Sequence, residues 1–305
     1  MLLVLGAAGF VGRHVTARAR GAGLRVLGAT RAVPGAEAVP GAWPGLDLAT
    51  APVADLERAL RAVAPDVVVN CAGATGGDPS RLAAANVVAI SRLLHAMAGA
   101  VPKARLVHLG SAAEYGRVEA GSSVAESAAP GPVGAYGLTK LAGTQLVQAA
   151  RADGLDAVVL RVFNLIGPGT PASTLPGRLV RDMRRAQATG ARVTTGPLTA
   201  FRDFVDVRDV ADAVLAAAAA AARAPALVNI GSGRATQLAE VASSLAALSG
   251  GARVVEDAGP GRGSPRSAEV RWQQADISRA SGDLGWRPRR DLTTSLADLW
   301  AAATG

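Results

Sequence analysis

Three glycines directly after the first apolar segment constrain the fold more than any other feature of this chain. In the stretch LVLGAAGFVGRHV, Gly6, Gly9 and Gly12 separate a strand-like run from residues with helical periodicity. Glycines at this spacing allow a tight turn and let the backbone N–H groups of Phe10 and Val11 approach a pyrophosphate, which a helix N-terminus stabilises. The pattern predicts a dinucleotide site at the first turn of an α/β sheet, with a tight turn that binds no ligand as the alternative.

Further apolar runs alternate with stretches of helical periodicity. They contain mainly Val and Leu without polar alternation, as expected of strands buried on both faces of a parallel sheet. We expect strands at 1–6, 24–30, 66–73, 104–110 and 156–164, and helices at about 10–22, 54–64, 80–100 and 134–152. This alternation predicts an α/β fold with a doubly wound parallel Rossmann sheet, whose ligands bind at the carboxyl ends of the strands.

The alternation becomes irregular after about residue 165. Two Gly/Pro-rich loops lie at 166–177 and 257–271, an apolar run at 226–233 predicts a return to the sheet, and a helix at about 291–303 closes the chain. We therefore expect a Rossmann domain over residues 1–165, with return segments near 205–232, and a smaller interlaced substrate-binding lobe over residues 166–305.

Composition and charge exclude several classes of function. The formal net charge of +8 would suit a nucleic-acid binder, but the arginines are scattered and no basic run is interleaved with aromatic residues. With Cys71 as the single cysteine and only three histidines, the sequence predicts no metal site. The Ala-rich run at 214–226 is too short to span a bilayer and contains Arg223, and Met1 leads directly into a strand. We expect a cytoplasmic protein that binds neither nucleic acid nor membranes.

The end of the second predicted strand indicates which dinucleotide binds. An NAD site usually has an acidic residue there for the ribose 2′-hydroxyl, but this strand ends with Thr30 and Arg31. A guanidinium suits a 2′-phosphate and favours NADP(H) over NAD(H), with a solvated surface arginine as the alternative. Asp47 and Leu48 follow an expected third strand, where they would contact the adenine; a helix cap is the other interpretation of Asp47.

A tyrosine and a lysine stand four residues apart near the start of the helix expected at 134–152. The chain has two residues of each type, so a chance Tyr-x-x-x-Lys match has a probability of about one per cent. Residues i and i+4 share one helix face, so Tyr136 and Lys140 can reach the same pocket. The ammonium favours the phenolate, which makes the tyrosine a usable general acid for a carbonyl oxygen and a base in reverse. A solvated surface pair is the alternative.

With these motifs in place, the chain resembles the extended short-chain dehydrogenase/reductases, the family of nucleotide-sugar epimerases, dehydratases and reductases. The resemblance covers nearly the whole length of the chain. Its motifs are the glycine turn, NCAG, GSAAEYG, YGLTK, LRVFNLIGPG, RDFVDVRDVADAV, NIGSG and DLGWRPRRDLTTSL. These are specific for the family and much less specific for the reaction.

The resemblance implies roles for residues at the strand ends. Ser111 would complete a catalytic Ser–Tyr–Lys set by a hydrogen bond to the reacting oxygen, while Lys140 would also hold the nicotinamide ribose. Ala72 and Gly73, which end the NCAG strand, and Asn86 in the following helix would lie at the cofactor. Asn86 has a structural alternative, in which it is buried and hydrogen-bonded to backbone.

The resemblance also implies a substrate side. Asn164 matches a substrate-contacting asparagine, and Arg202 and Arg266 match arginines that hold a nucleotide diphosphate. Arg202 is the firmer assignment, because Arg262 competes with Arg266 for the second position. The nucleotide-diphosphate sugar is thus the expected substrate.

Two alanines narrow the reaction. In the family's 4,6-dehydratases an acid and a base precede the tyrosine of GSAAEYG, and in its 3,5-epimerases a cysteine lies there. Ala112 and Ala113 at these substrate-pocket positions transfer no protons. The remaining reactions are NADP(H)-dependent reduction of a nucleotide-activated 4-keto-6-deoxy sugar, which Arg31 favours, and NAD-dependent 4-epimerisation. A non-catalytic cofactor-sensing protein on the same fold is the alternative of another class. Relatives pair through the helices equivalent to 80–100 and 134–152, which implies a homodimer.

Overall fold

A computed structural model of the chain describes residues 1–31, 43, 45–220, 225–257 and 270–303. Its centre is a six-stranded parallel sheet with strand order β2-β1-β3-β4-β5-β9. The strands of this sheet are Leu2–Leu5 (β1), Val26–Ala29 (β2), Val67–Asn70 (β3), Arg105–Ser111 (β4), Ala157–Val162 (β5) and Leu227–Ile230 (β9). The order reverses next to β1, which places a ligand crevice beside the glycine turn. The predicted α/β fold is confirmed, and the run at 226–233 does return to the sheet.

Helices cover both faces of this sheet. The helices of the sheet region are Phe10–Gly21 (α1), Val53–Val63 (α2), Pro79–Ala83 (α3), Ala89–Ala100 (α4), Ala135–Ala152 (α5) and Val207–Ala219 (α7). Along β1 the side chains alternate, because Leu3 and Leu5 pack with α2, α4 and α5, whereas Leu2 and Val4 pack with α1 and α7. Both faces of the strand are therefore apolar, which explains the absence of polar alternation in its sequence.

The expected strand at 156–164 is in fact two strands that belong to different sheets. β5 ends at Val162 in the main sheet, and Asn164–Ile166 (β6) pairs with Phe201–Asp206 (β8), which also pairs with Ala235–Gln237 (β10). Phe163 lies between β5 and β6 and packs in a separate small core with Tyr115. The sequence does not reveal this change of sheet, because apolar residues continue from one strand into the next with only Phe163 between them.

The later part of the chain contains Val193–Thr195 (β7), Val254–Glu256 (β11), Leu175–Thr189 (α6), Leu238–Leu248 (α8), Ser278–Asp283 (α9) and Leu292–Ala302 (α10). All but α9 contribute to a separate apolar core, whereas α9 packs against β9, with Ala280 in a core of the main sheet. β7 and β11 form a two-stranded parallel sheet, and α6, α8 and α10 pack around Ile166 and Phe204. The smaller lobe thus meets the sheet domain where β5 gives way to β6. The division at residue 165 stays a prediction.

One expectation for the first half lies mostly outside the described residues, and another needs correction. The third strand expected before Asp47 would fall at residues 32–46; residues 32–42 and 44 lie outside the described part, so this strand stays a prediction, and 43, 45 and 46 are not in a strand. Among the described strands, the one that leads into NCAG is β3. The helix expected at 80–100 is continuous from Pro79 to Ala100 but contains a π-helical turn at Ala84–Val88. This helix is long and apolar enough to span a bilayer, yet it packs against α2 and α5 and is a core helix.

Candidate active site

The glycine turn is built so that no side chain can occupy it. Gly6 has a φ of +75°, and a Cβ there would lie 2.8 Å from the backbone nitrogen of Ala72. A Cβ on Gly12 would lie 2.1 Å from the carbonyl oxygen of Gly6. Each glycine is therefore required by a close approach between backbones.

The N-terminus of α1 is open for an anion. Gly9 is its N-cap and provides no side-chain hydrogen bond, and the first turn carries no acidic residue. The N–H groups of Phe10 and Val11 lie in this first turn, where a helix has no internal acceptors. The residues present fit a dinucleotide pyrophosphate, because both the N–H groups and the helix dipole favour a bound anion.

Asn86 supports the loop that faces the glycine turn. Its Oδ1 accepts from the Ala74 N–H at 2.9 Å, and its Nδ2 donates to the Ala74 carbonyl oxygen at 3.0 Å. The same Nδ2 also donates to Thr139 Oγ1 on α5 at 3.1 Å. A Cβ on Gly73 would lie 2.9 Å from Asn86 Oδ1, so that glycine is needed for the contact. Asn86 thus lies behind the loop that contains Ala72 and Gly73. It is buried and hydrogen-bonded to backbone, as its structural interpretation requires.

Arg31 and Asp47 face one another at the end of β2. The Arg31 guanidinium is largely exposed, and its Nη1 lies 3.8 Å from Asp47 Oδ2. Asp47 Oδ1 accepts a hydrogen bond from the Ala49 N–H at 2.8 Å, and Leu48 is buried in the core beside it. The end of β2, where the sequence predicts the adenosine ribose, therefore has one cationic and one anionic side chain.

Ser111, Tyr136 and Lys140 come from two elements that pack closely. Ser111 is the last residue of β4, and the other two lie on the first turns of α5. The helix approaches the turn after β4 so closely that a Cβ on Gly137 would lie 2.6 Å from the Ala113 carbonyl oxygen. The predicted catalytic residues thus belong to neighbouring elements at the carboxyl end of the sheet.

The two tyrosines have different surroundings. Tyr115 is buried, and its hydroxyl donates a 2.7 Å hydrogen bond to Asn229 Oδ1, while burial raises its pKa. Tyr136 is only half-buried, one turn before Lys140. Of the two tyrosines, Tyr136 is therefore the more exposed, and its catalytic role stays a prediction.

Lys140 is a buried cation with a backbone acceptor. Its Nζ donates a 2.6 Å hydrogen bond to the Leu109 carbonyl oxygen near the end of β4. Burial lowers the pKa of Lys140, and the negative charge of Glu114 opposes this effect. The nearby Cys71 thiol has its pKa raised by burial to about 12, so it is not a thiolate nucleophile at neutral pH.

The predicted substrate residues have contacts within the smaller lobe. Asn164 Nδ2 donates to the Asp203 carbonyl oxygen at 3.0 Å and to Gln273 Oε1 at 3.2 Å. Arg202 is buried and donates to the carbonyl oxygens of Phe201 and Val270, each at 2.7 Å, and burial lowers its pKa to about 10. Its role towards a diphosphate stays a prediction. The predictions for Arg262 and Arg266 fall outside the described residues.

Comparison with known proteins gives the family. Residues 2–231 match the model of the protein family described as "NAD dependent epimerase/dehydratase family". The chain belongs to this family. It is an NAD(P)-dependent enzyme of the extended short-chain dehydrogenase/reductase type, so the resemblance and the enzyme prediction are confirmed and the non-catalytic alternative loses its support.

Individual members of the epimerase/dehydratase family match over most of their length. A dTDP-6-deoxy-L-talose 4-dehydrogenase (NAD(P)(+)) of Kitasatospora kifunensis is 40% identical over 98% of this chain and 94% of the relative. A GDP-6-deoxy-D-mannose reductase of Pseudomonas aeruginosa is 30% identical over 76% and 78%. The structure of MoeE5 in complex with UDP-glucuronic acid and NAD superposes with a TM-score of 0.83 at 31% identity, over 99% and 98%.

This member of the epimerase/dehydratase family also has site residues that the sequence reasoning missed. Gln273 is buried between the two halves of the site, because its Oε1 accepts from Asn164 and its Nε2 donates to the Ala112 carbonyl oxygen at 3.4 Å. The rings of Phe201 and Trp272 are in contact, with centroids 5.0 Å apart and their planes tilted by 36°. No local pattern marks these residues, since Gln273 lies 109 residues from Asn164 in the chain.

Proposed function

We propose that the protein reduces a nucleotide-activated 4-keto-6-deoxy sugar, with NADPH as the preferred cofactor. The observation that carries this proposal is the proton chemistry around Ser111. The next two residues are alanines, and the Glu114 carboxylate is fully buried in an ion pair with Arg161, 2.8 Å away. Tyr136 is then the proton-transfer group, which is sufficient for hydride transfer and insufficient for loss of water.

The residues of the site divide this reaction among them. Bound NADPH would supply the hydride that adds to sugar C4. Tyr136 would give its proton to the C4 oxygen, Ser111 would orient that oxygen by a hydrogen bond, and the Lys140 ammonium would stabilise the resulting phenolate. The names of two relatives support this chemistry, because one is a 4-dehydrogenase and the other a reductase, and both carry the name of a nucleotide-linked 6-deoxy sugar.

The preference for NADPH rests on Arg31. Its exposed guanidinium suits a 2′-phosphate, whereas the nearby Asp47 carboxylate suits a ribose hydroxyl, so NADH remains a usable second cofactor. We expect Arg31→Ala to weaken NADPH binding about tenfold or more and to change NADH binding little, measured by nicotinamide fluorescence. Arg25→Ala is the matched control, because Arg25 is exposed at the opposite end of the same strand. Equal loss for both cofactors would contradict the assignment.

NAD-dependent 4-epimerisation is the second candidate. It is favoured by Asp47 beside the ribose site and by the likeness to a structure that contains NAD and UDP-glucuronic acid. Such an enzyme recycles its cofactor. Purified protein that retains NAD and consumes no cofactor during turnover would support epimerisation over reduction.

We also propose that the protein is a homodimer. Among the described residues, Val88 in the π-helical turn and Leu138 on α5 are exposed large hydrophobic side chains, on helices that pack together. Light scattering after size-exclusion chromatography should give twice the chain mass, and a monomer at all concentrations would contradict this proposal.

A further inference from the structure

Glu114 is a fully buried carboxylate that the proposed reaction does not use. It ends the short 3-10 turn after β4, and none of its surface is exposed. Burial of a charge is costly unless several partners compensate it, and here every partner comes from a different part of the site. The arrangement therefore requires an explanation beyond local turn geometry.

One carboxylate oxygen joins the serine loop to the catalytic helix. Glu114 Oε1 accepts from the Ser111 backbone N–H at 2.7 Å and from Thr144 Oγ1 at 3.0 Å. Thr144 lies on α5, one turn after Lys140 and two turns after Tyr136. A single oxygen atom thus fixes the position of Ser111 relative to the helix that carries the other two catalytic residues.

The second oxygen anchors this link to the sheet. Glu114 Oε2 accepts from Arg161 Nε at 2.9 Å and from its Nη2 at 2.8 Å. Arg161 on β5 is itself buried, and its guanidinium lies 4.3 Å from the centre of the Tyr115 ring. The carboxylate therefore cannot swing away to act as a general acid or base, and its position is determined by two rigid elements.

The main-chain packing leaves room for this carboxylate only because residue 110 is glycine. A Cβ on Gly110 would lie 2.8 Å from Glu114 Oε1 and 3.3 Å from Thr144 Oγ1. Gly110 directly precedes the catalytic serine in β4. The strand, the turn and the helix are thus fitted to one another around the charged oxygen.

The same carboxylate is the negative charge that acts on Lys140. The other titratable groups close enough to influence Lys140 are Cys71 after β3 and His108 on β4, and both are neutral at physiological pH, because burial raises the pKa of the thiol and lowers that of the imidazole. Tyr136 is one turn away on its own helix. Arg161 on β5 pairs with the far oxygen of Glu114.

We propose that Glu114 is a positioning residue, which holds Ser111 against the helix of Tyr136 and Lys140 and supplies the negative charge that balances the Lys140 ammonium. The catalytic part rests on the proposed function, whereas the link and the charge balance do not depend on any substrate. Without the carboxylate, Lys140 would lose its proton at a lower pH, and the support it gives the phenolate would fail at a lower pH as well.

The lysine content of the chain permits a direct test. Lys103 and Lys140 are the only lysines, and Lys103 is exposed. Full-length protein with 13C at the lysine Cε would therefore give two NMR signals, one of them an internal reference. In the native protein we expect the Lys140 signal to titrate below the usual range of a lysine, because burial lowers the pKa of Lys140.

Two variants remove the charge in different ways. Glu114→Gln keeps the shape, and the pair Glu114→Leu with Arg161→Met removes both buried charges so that neither is left unpaired. In Glu114→Gln we expect the midpoint of Lys140 to fall by about one pH unit, and in the double variant by less, because loss of the Arg161 positive charge offsets part of the effect. Thr144→Val is the control, since it removes one hydrogen bond and keeps the charge. An unchanged Lys140 midpoint in either folded charge variant would overturn the proposal.

Turnover measurements separate this proposal from the proposed function. With an accepted 4-keto sugar, Glu114→Gln should move the alkaline limb of kcat/KM to lower pH, whereas a merely structural role would lower kcat/KM equally at every pH. If no nucleotide sugar is reduced, the proposed function fails while a shifted Lys140 midpoint still supports the charge balance. If the protein reduces a 4-keto sugar but Glu114→Gln leaves its pH profile unchanged, the proposed function holds and the charge balance fails.

Discussion

The glycine turn of the sheet domain and the segment that joins this domain to the smaller lobe are secured by different means. In the glycine turn, Gly6 and Gly12 let backbone pack directly on backbone, and Cβ atoms are excluded. At the junction with the lobe, the β8–α7 segment RDFVDVRDV instead places three buried aspartates that receive hydrogen bonds from distant loops: Asp203, Asp206 and Asp209. A pyrophosphate needs open N–H groups, and aspartates at those positions would occupy them and repel the anion.

Each of these three aspartates accepts hydrogen bonds from a different segment. Asp203 accepts from the N–H groups of Ser232, Gly233 and Ala275 and from the Ser232 hydroxyl, at 2.6 to 3.0 Å. Asp206 accepts from Ser295 Oγ on α10 at 2.7 Å, and Asp209 accepts from the N–H groups of Arg289 and Arg290. Carboxylates of β8 and α7 thus hold the surrounding loops, whereas Asn164 is bonded to the backbone carbonyl oxygen of Asp203.

The largest effect that would test this comparison is expected for Asp203→Ala. Removal of the carboxylate leaves four donors without their acceptor, and we expect a loss of about 3–5 kcal/mol in the free energy of unfolding. Asp182→Ala is the control, because Asp182 pairs with Arg181 at the surface of α6 and should cost less than about 1 kcal/mol. Thermal and denaturant unfolding measure both. Similar costs for the two variants would mean that the Asp203 carboxylate does not hold the surrounding loops together.

A smaller effect on stability is expected for Gly12→Ala. The new methyl group would meet the Gly6 carbonyl oxygen, so we expect a cost of about 1–3 kcal/mol and loss of cofactor binding. Gly21→Ala at the end of the same helix is the matched control, because nothing lies within 4 Å of the position of its Cβ. That variant should be neutral or slightly stabilising. Normal NADPH affinity in Gly12→Ala would contradict the role of the turn.

The same difference explains what the sequence could and could not predict. Glycine spacing and apolar periodicity are local, so they indicate the first five strands of the sheet, α1 and α5. Hydrogen bonds from Asp203 to residue 275, or from Gln273 to Ala112, join positions far apart in the chain and leave no periodic pattern. The break at Phe163 escaped prediction for a related reason, since the sequence on both sides of it is equally apolar.

Candidate catalytic residues follow the same rule. Tyr136 and Lys140 were found because they lie four residues apart on one helix. Glu114 belongs to the motif GSAAEYG, but its partners Thr144 and Arg161 lie on other elements. Only the folded chain reveals that a residue of the turn is bonded to the helix.

The most direct test of the proposed reaction follows the hydride. The protein would be given dTDP- and GDP-linked 4-keto-6-deoxy sugars, and in separate reactions the matching 4-hydroxy sugars, with NADPH carrying deuterium at both C4 positions, and the products would be analysed by mass spectrometry and NMR. We predict one deuterium at sugar C4 for each NADPH oxidised, and a loss of about 100-fold or more in Tyr136→Phe. Inversion of a 4-hydroxy nucleotide sugar without deuterium uptake or net oxidation of NADPH would contradict reduction and identify a 4-epimerase.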